Sequence, residues 1–337
     1  MKKKWFVGID VSKLTLDIAL YTAKSKMTAS DHIQVKNTVS GFQEFLDWLK
    51  ERGITRSGCV VGMEHTGIYS LDISLFLENK RFDYCLFNPI HLKRSLGLVR
   101  GKNDRVDAFR IANYCYLYRE DLVYSHMASS SMLEIRSLLS ERKLYVEQMA
   151  THKGFLTESK GRKSSSRGQR CARIVDYLEK QIEEIEKEIN DIIDADTTLK
   201  KNYELVTSVK GIGFVNAINF LVHTNNFMNF ENARQYACYT GIAPFEYSSG
   251  TSVRGKTRVN KMGARQVKAD LTQAAKSAVQ HDPQMTAYYV RKKQEGKSHG
   301  SIMNAIKFKL VERVFAVIRE QRVYLDAEKF QELKKAV

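Results

Sequence analysis

The chain has 337 residues, with 54 Lys and Arg against 38 Asp and Glu, a formal net charge of +16 and a pI near 9.5. A hydrophobic content of 43% with 10% aromatics excludes intrinsic disorder, and a chain of this length can bury two or three cores. The basic excess implies a polyanionic partner, nucleic acid before any other.

The Met1-Lys-Lys-Lys start resembles the basic end of a secretion signal, but Asp10 and Ser12 break the apolar run that follows. Trp5 to Asp10 reads as a strand. Leu14 to Tyr21 reads as a second, paired to it through a short turn. His32 to Asn37 is a weaker third. A helix is predicted to open at Ser40, with Gln43 in capping-box position, an apolar stripe of Phe42, Phe45, Leu46 and Leu49, and Gly53 as its stop. Cys59 to Met63 is a continuous apolar run, hence a strand buried on both faces. A helix carrying Ile68, Leu71, Leu75 and Phe76 follows, then a short strand Tyr84 to Phe87 and a helix from Asp104 to Tyr118. Strands in a meander, then alternating with helices, predict an α/β domain with a mixed sheet over residues 1–125.

From 126 to 200 long helical patterns dominate. Met132, Ile135, Leu138, Leu139 and Leu144 form one stripe. Ile174, Leu178, Ile182, Ile185, Ile189 and Ile192 form a coiled-coil-like seam. The basic segment Lys160 to Arg170 lies between them, as the tip of a helical arm. Residues 201–337 read as a mostly helical third domain. Its Val209-Lys210-Gly211-Ile212-Gly213 looks like a helix-hairpin-helix turn, in which glycines let backbone amides approach a phosphate. An ordinary packing corner is the alternative.

The five cysteines, Cys59, Cys85, Cys115, Cys171 and Cys238, form no CxxC and make an odd count. They point to a reducing, cytoplasmic compartment without a disulfide framework or a zinc site. No 18-residue apolar stretch occurs, so no membrane span is expected.

Two constellations carry chemistry. Asp10 and Glu64 each end an apolar strand, and Asp104 and Asp107 sit three apart at a helix start. Each acid alone is explained by capping: Asp10 of a turn, Glu64 and Asp104 of helix starts, Asp107 as a first-turn dipole partner. Together they are expected to be able to hold two hard divalent cations through oxygen ligands, as in phosphodiester chemistry. The second constellation is Gly241-Ile-Ala-Pro244 through Ser248-Ser249-Gly250-Thr251-Ser252, followed by Arg254, Lys256, Arg258, Lys261, Arg265 and Lys268. A hydroxyl on a basic loop can attack a phosphate held beside it, or the loop can simply bind phosphate.

These motifs, in this order and over nearly the whole chain, resemble the DEDD transposases of insertion-sequence family one-ten, the bridge-RNA-guided recombinases. The resemblance rests on Gly8-Ile-Asp10-Val-Ser-Lys13, Met63-Glu64-His-Thr-Gly67, Lys102-Asn-Asp104-Arg-Val-Asp107-Ala, Val209 to Gly213, and Gly241 through Ser249-Gly250 to Lys261-Met-Gly263. It implies a RuvC-like (ribonuclease H-like) N-terminal domain, a coiled-coil connection and a C-terminal transposase domain. Asp10, Glu64, Asp104 and Asp107 then fall on the acids that hold Mg²⁺, two ions per site, and Ser249 on the nucleophile, with Ser248 and Ser252 as neighbours in contention. Lys210, Gly211, Gly213 and the cations from Arg254 to Lys268 fall on the nucleic-acid surface. The implied partners are donor and target DNA, a structured guide RNA and further copies of the chain. One departure stands out: where the family often shows Leu-Arg, this chain has Val267-Lys268, which keeps the cation but not its bidentate geometry. Two other readings remain at this point: a RuvC-like nuclease or junction resolvase using water, and a non-catalytic nucleic-acid scaffold.

Overall fold

The computed structural model describes residues 3–22, 31–95, 103–158, 165–249, 253–259 and 263–325. The chain divides into two units, Met1–Met127 and Ala128–Val337.

The first unit is built on a mixed five-stranded sheet of β1 (Trp5–Val11), β2 (Thr15–Tyr21), β3 (His32–Lys36), β4 (Cys59–Glu64) and β5 (Tyr84–Phe87), in the order β3-β2-β1-β4-β5. β1 pairs antiparallel with β2 and parallel with β4. This mixed sheet is consistent with the RuvC-like domain expected.

Its helices are α1 (Val39–Glu51), α2 (Leu71–Asn79), α3 (Pro89–Ser95) and α4 (Asp104–Leu117). Strand alternation assigns the two faces. Val7, Ile9 and Val11 of β1 and Cys59, Val61 and Met63 of β4 join the core cluster that contains Phe42, Phe45, Trp48 and Leu49 of α1 with Ile73 and Leu77 of α2. Phe6 and Val60 turn the other way and pack with Cys115 and Tyr116 at the α4 end.

Two local expectations are corrected. Thr38, not Ser40, caps α1, its hydroxyl accepting from the Gly41 amide at 3.4 Å. The α2 stripe is Ile73 and Leu77, because a 3₁₀ turn over Gly67–Ser70 rotates the helix start and leaves Ile68 76% exposed.

The second unit opens with α5 (Ser130–Glu158) and α6 (Ser166–Ala195), two long helices packed side by side. Lys153 reaches Glu179 at 2.6 Å and Arg142 reaches Glu186 at 2.7 Å, while Ile135 clusters with Ile189 and Ile193. Partner numbers fall as α5 numbers rise, so the pair is an antiparallel hairpin. The α6 seam buries Cys171, Val175, Leu178, Ile182, Ile185, Ile189 and Ile193. It finds its partner in α5 of the same chain. Ile174 lies 40% exposed, outside the buried stripe. The tip segment 159–164 lies outside the described residues.

Next come α7 (Thr197–Thr207), α8 (Phe214–Thr224) and α9 (Ala233–Thr240), then β6 (Pro244–Ser249) and β7 (Val253–Val259), then α10 (Arg265–His281), α11 (Pro283–Gln294) and α12 (His299–Glu320). The core here joins Val206, Phe220, Tyr236, Leu271, Ala275, Ile306, Leu310 and Val314. The antiparallel β6–β7 hairpin was not expected in a helical domain. Its signal was the β-branched series Val253, Thr257 and Val259 at even spacing.

His223 of α8 shares a 2.9 Å hydrogen bond with the Tyr239 hydroxyl. Burial, and then the Arg136 charge, push its pKa down to about 4. The unfolded chain therefore binds the His223 proton more readily. Stability from this group is complete above pH 6.5 and declines as pH falls toward 4. His223→Gln is expected to flatten the change in thermal midpoint across that window. An unchanged slope would show that His223 does not govern it.

Candidate functional site

Gly8 and Asp10 are two apart on β1, and Gly62 and Glu64 are two apart on β4. Each pair therefore lies on the face of the sheet turned toward α4. The parallel register sets Gly8 directly against Gly62, which creates a shallow patch without side chains. Helix α4 rests in it. A Cβ on Gly8 would overlap the Ala108 carbonyl oxygen and the Ala112 amide, and one on Gly62 would overlap the Cys115 sulfur. This close approach lays Ala108, Ile111, Ala112 and Cys115 against the sheet. The first turn of α4, with Asp104 and Asp107, is thereby brought to the strand ends that carry Asp10 and Glu64.

The electrostatics report the same convergence. Asp10 has its pKa pushed up to about 6, by burial first and then by repulsion from Asp104, Asp107, Glu64 and, least, Asp17. The capping explanations give way at two positions. The turn after β1 is held by Ser12, whose hydroxyl accepts from the Thr15 amide at 3.0 Å and donates to the Thr15 carbonyl at 2.8 Å. The cap of α4 is Asn103, which accepts from the Arg105 amide at 3.0 Å, so Asp104 is spare. Asp107 accepts from Arg110 at 2.6 Å. Among the described residues, no three His, Cys, Asp or Glu side chains stand together closely enough to hold one metal ion as placed. The donor set itself, all carboxylate oxygen with unbalanced negative charge at Asp10, fits a hard divalent cation.

Asp17 is an acid that the sequence reading passed over. The antiparallel register sets it opposite Asp10. It is buried, and it accepts from Gln34 at 2.9 Å and shares a 2.8 Å hydrogen bond with His32. Those partners occupy it as a structural carboxylate.

In the second unit, Ser249 ends β6 opposite Val253, and Ser248 lies opposite Arg254. Arg254, Lys256 and Arg258 lie on β7. Gly250, Thr251, Ser252 and Lys261 lie outside the described residues. The base of the hairpin is tightly held. The Lys268 ammonium donates to the Gly241 carbonyl at 2.7 Å, and the Asn304 amide donates to the Ile242 carbonyl at 2.8 Å. Ala264 N donates to the Tyr239 carbonyl at 3.0 Å, and Gly263 is packed so closely on Gly241 that any side chain there would collide with its backbone. Lys268 thus spends a donor on the chain entering the serine strand, a role that a single ammonium fills as well as a guanidinium. Arg265 is exposed at the start of α10.

Gly211 has φ +96°, and a Cβ there would meet Ala278 and the Ala274 carbonyl, so it packs α10 against the turn before α8. Gly213 precedes α8 with open space around its Cα, and Lys210 is exposed.

Comparison with known proteins places these parts. A transposase family model of the DEDD type matches residues 7–158, and the model for the transposase IS116/IS110/IS902 family matches residues 203–290. The pilin gene-inverting protein of Moraxella lacunata is 23% identical over 325 residues, covering 95% of this chain and 98% of that one. The protein of the same name from Moraxella bovis has the same figures. An uncharacterized 43.6 kDa protein of insertion element IS110 from Streptomyces coelicolor is 31% identical over 120 residues, 36% of this chain and 29% of that one. The protein is therefore a DNA transposase or recombinase, an enzyme that cuts and rejoins DNA strands. The chain belongs to the IS116/IS110/IS902 family of transposases.

Proposed function

We propose that this transposase cuts DNA with Ser249 as nucleophile, and that Asp10, Glu64, Asp104 and Asp107 hold Mg²⁺, two ions per site. The observation that carries the reading is the gathering of the acids around Asp10, whose pKa is raised by burial first and then by the charges of Asp104, Asp107 and Glu64. When bound, such ions ease ionisation of a hydroxyl nucleophile and stabilise charge on the phosphate. Closing on a cation requires Asp107 to relax its contact with Arg110.

In the covalent step the Ser249 oxygen forms a bond to phosphorus. The bond to the bridging oxygen of the strand breaks, and that oxygen leaves as a hydroxyl carrying the proton that the serine gave up. Rejoining is the reverse, with a strand hydroxyl displacing the serine. The step stores the phosphodiester energy in the adduct, so it needs no external energy source. The net charge of +16 supports binding of donor and target DNA and of a structured guide RNA, which the protein would read by backbone and shape. Two DNA partners, each needing a cut, suit a dimer or tetramer. No helix among the described residues is long and apolar enough to cross a membrane.

The test is strand exchange with purified protein, the element's own non-coding RNA and Mg²⁺. Ser249→Ala is expected to lower exchange by roughly 10³-fold or more, with DNA binding retained. Ser248→Ala and Ser252→Ala are expected to stay within a few fold of wild type. Full activity in Ser249→Ala would remove the assignment, and loss only in Ser248→Ala would move it by one residue.

A further inference from the structure

Helices α11 and α12 flank an open cavity of about 630 Å³ that neither the acids nor the serine hairpin uses. Its walls include Met285, Tyr288, Arg291, Lys309, Glu312 and Arg313. Three cations surround the Tyr288 ring: Lys309 at 4.9 Å from its centre, Arg291 at 5.6 Å and Lys292 at 6.0 Å. Arg313 is already committed, to the buried Asp282 carboxylate and to Gln284 at 2.7 Å, and it stacks on Tyr324. Lys292 is committed to Glu295 at 2.6 Å. Arg291 lies 3.9 Å from the same carboxylate, a loose contact on a side chain 65% exposed. Arg291 and Lys309 are therefore the cations available to a ligand, and Glu312 is an exposed acceptor beside them.

We infer that this cavity seats an unpaired DNA strand, with a phosphate between Arg291 and Lys309 and a nucleoside against Tyr288. Two cations beside an aromatic ring form the combination that grips single strands by backbone charge and base stacking without reading sequence. A volume of this size takes a nucleotide, and an acceptor next to the cations suits a base or sugar more than a bare anion. DNA is the occupant because strand cutting and rejoining leaves unpaired DNA ends that must be retained. The inference takes the family's activity as given and is independent of the roles assigned to Ser249 and the acids.

The experiment measures anisotropy of labelled oligothymidylate and oligouridylate, each of about eight nucleotides, in EDTA so that no cutting occurs. Arg291→Gln/Lys309→Gln is expected to weaken oligothymidylate binding about tenfold and to flatten the log–log salt slope by about 0.7, one phosphate's worth for a single strand. Lys180→Gln/Lys187→Gln, an equal charge loss on the exposed face of α6, is expected to leave both nearly unchanged. Lys309→Arg and Tyr288→Phe are expected to bind as wild type. Equal losses in the two double variants would overturn the site, leaving only general charge. A groove-dependent preference for oligouridylate would overturn the assignment to DNA. Photocrosslinking of an iodouracil-substituted strand gives a second reading in unmutated protein: attachment within Pro283–Gln294 supports the site, and attachment only elsewhere overturns it.

Discussion

Replacing Asp10 by Asn is expected to stop strand transfer while making the metal-free protein more resistant to heat. The carboxylate is partly buried among four like charges, so the folded state holds its proton more tightly than the unfolded chain does. With a folded pKa of about 6 against an ordinary 3.8, the stability from this group is complete below pH 3.8 and is lost as pH rises toward 6. At pH 7.5 in EDTA, Asn removes the repulsion, and the thermal midpoint should rise by about 2–4 °C. Activity should fall by roughly 10²–10³-fold, because the amide is a poorer ligand for a hard cation and carries no charge. Calorimetry and strand exchange on the same preparation check both halves. A variant that recombines normally would contradict the metal reading, and one that is less stable in EDTA would contradict the electrostatic one.

The second large effect is expected from Gly8→Ala. The new methyl group meets the backbone of α4 at the Ala108 carbonyl and the Ala112 amide, and backbone cannot rotate away as a side chain can. The helix must lift from the sheet, breaking the packing of Ala108, Ile111 and Ala112. The expected cost is about 3 kcal/mol or more, with the thermal midpoint down by more than about 6 °C. Activity should fall further than stability alone explains, because α4 carries Asp104 and Asp107. Gly62→Ala provides the contrast. Its nearest obstacles are the Cys115 sulfur and the Phe87 ring, both side chains. Gly62→Ala/Cys115→Ala should therefore regain part of what Gly62→Ala loses, measured by urea unfolding. No regain would mean that the strand glycines serve something other than the seat of α4.

Much of the first unit was legible because its signals are local. An apolar run ending in an acid marks both a buried strand and the acid at its tip, and this placed Glu64 at the end of β4 and Asp10 one residue before the end of β1. The i,i+3 pair Asp104 and Asp107 lies in the first turn of α4, as read. What was not legible depends on pairing. The meeting of Gly8 with Gly62, and of Asp10 with Asp17, appears only once strand register is known. The α6 seam was legible as a stripe, but a stripe does not name its partner, and α5 of the same chain supplies it. The β6–β7 hairpin was hidden because Ser, Gly and Arg have low strand propensity and its support comes from outside, through Lys268, Asn304 and the contact of Gly263 with Gly241. The cavity beside Tyr288 had no sequence signature, since Arg291 and Lys309 sit on successive helices and meet only once α11 packs against α12.

The central claim is that a serine of this chain becomes joined to DNA. The direct measurement is denaturing electrophoresis of end-labelled DNA, stopped midway through the reaction with Mg²⁺ and guide RNA, followed by mass spectrometry of the retarded band. The expected result is a protein–DNA species that survives denaturant, is absent without Mg²⁺ or with Ser249→Ala, and yields a peptide phosphorylated and nucleotidylated at Ser249. Cleaved DNA in good yield with no such species would contradict it, and would make water the nucleophile.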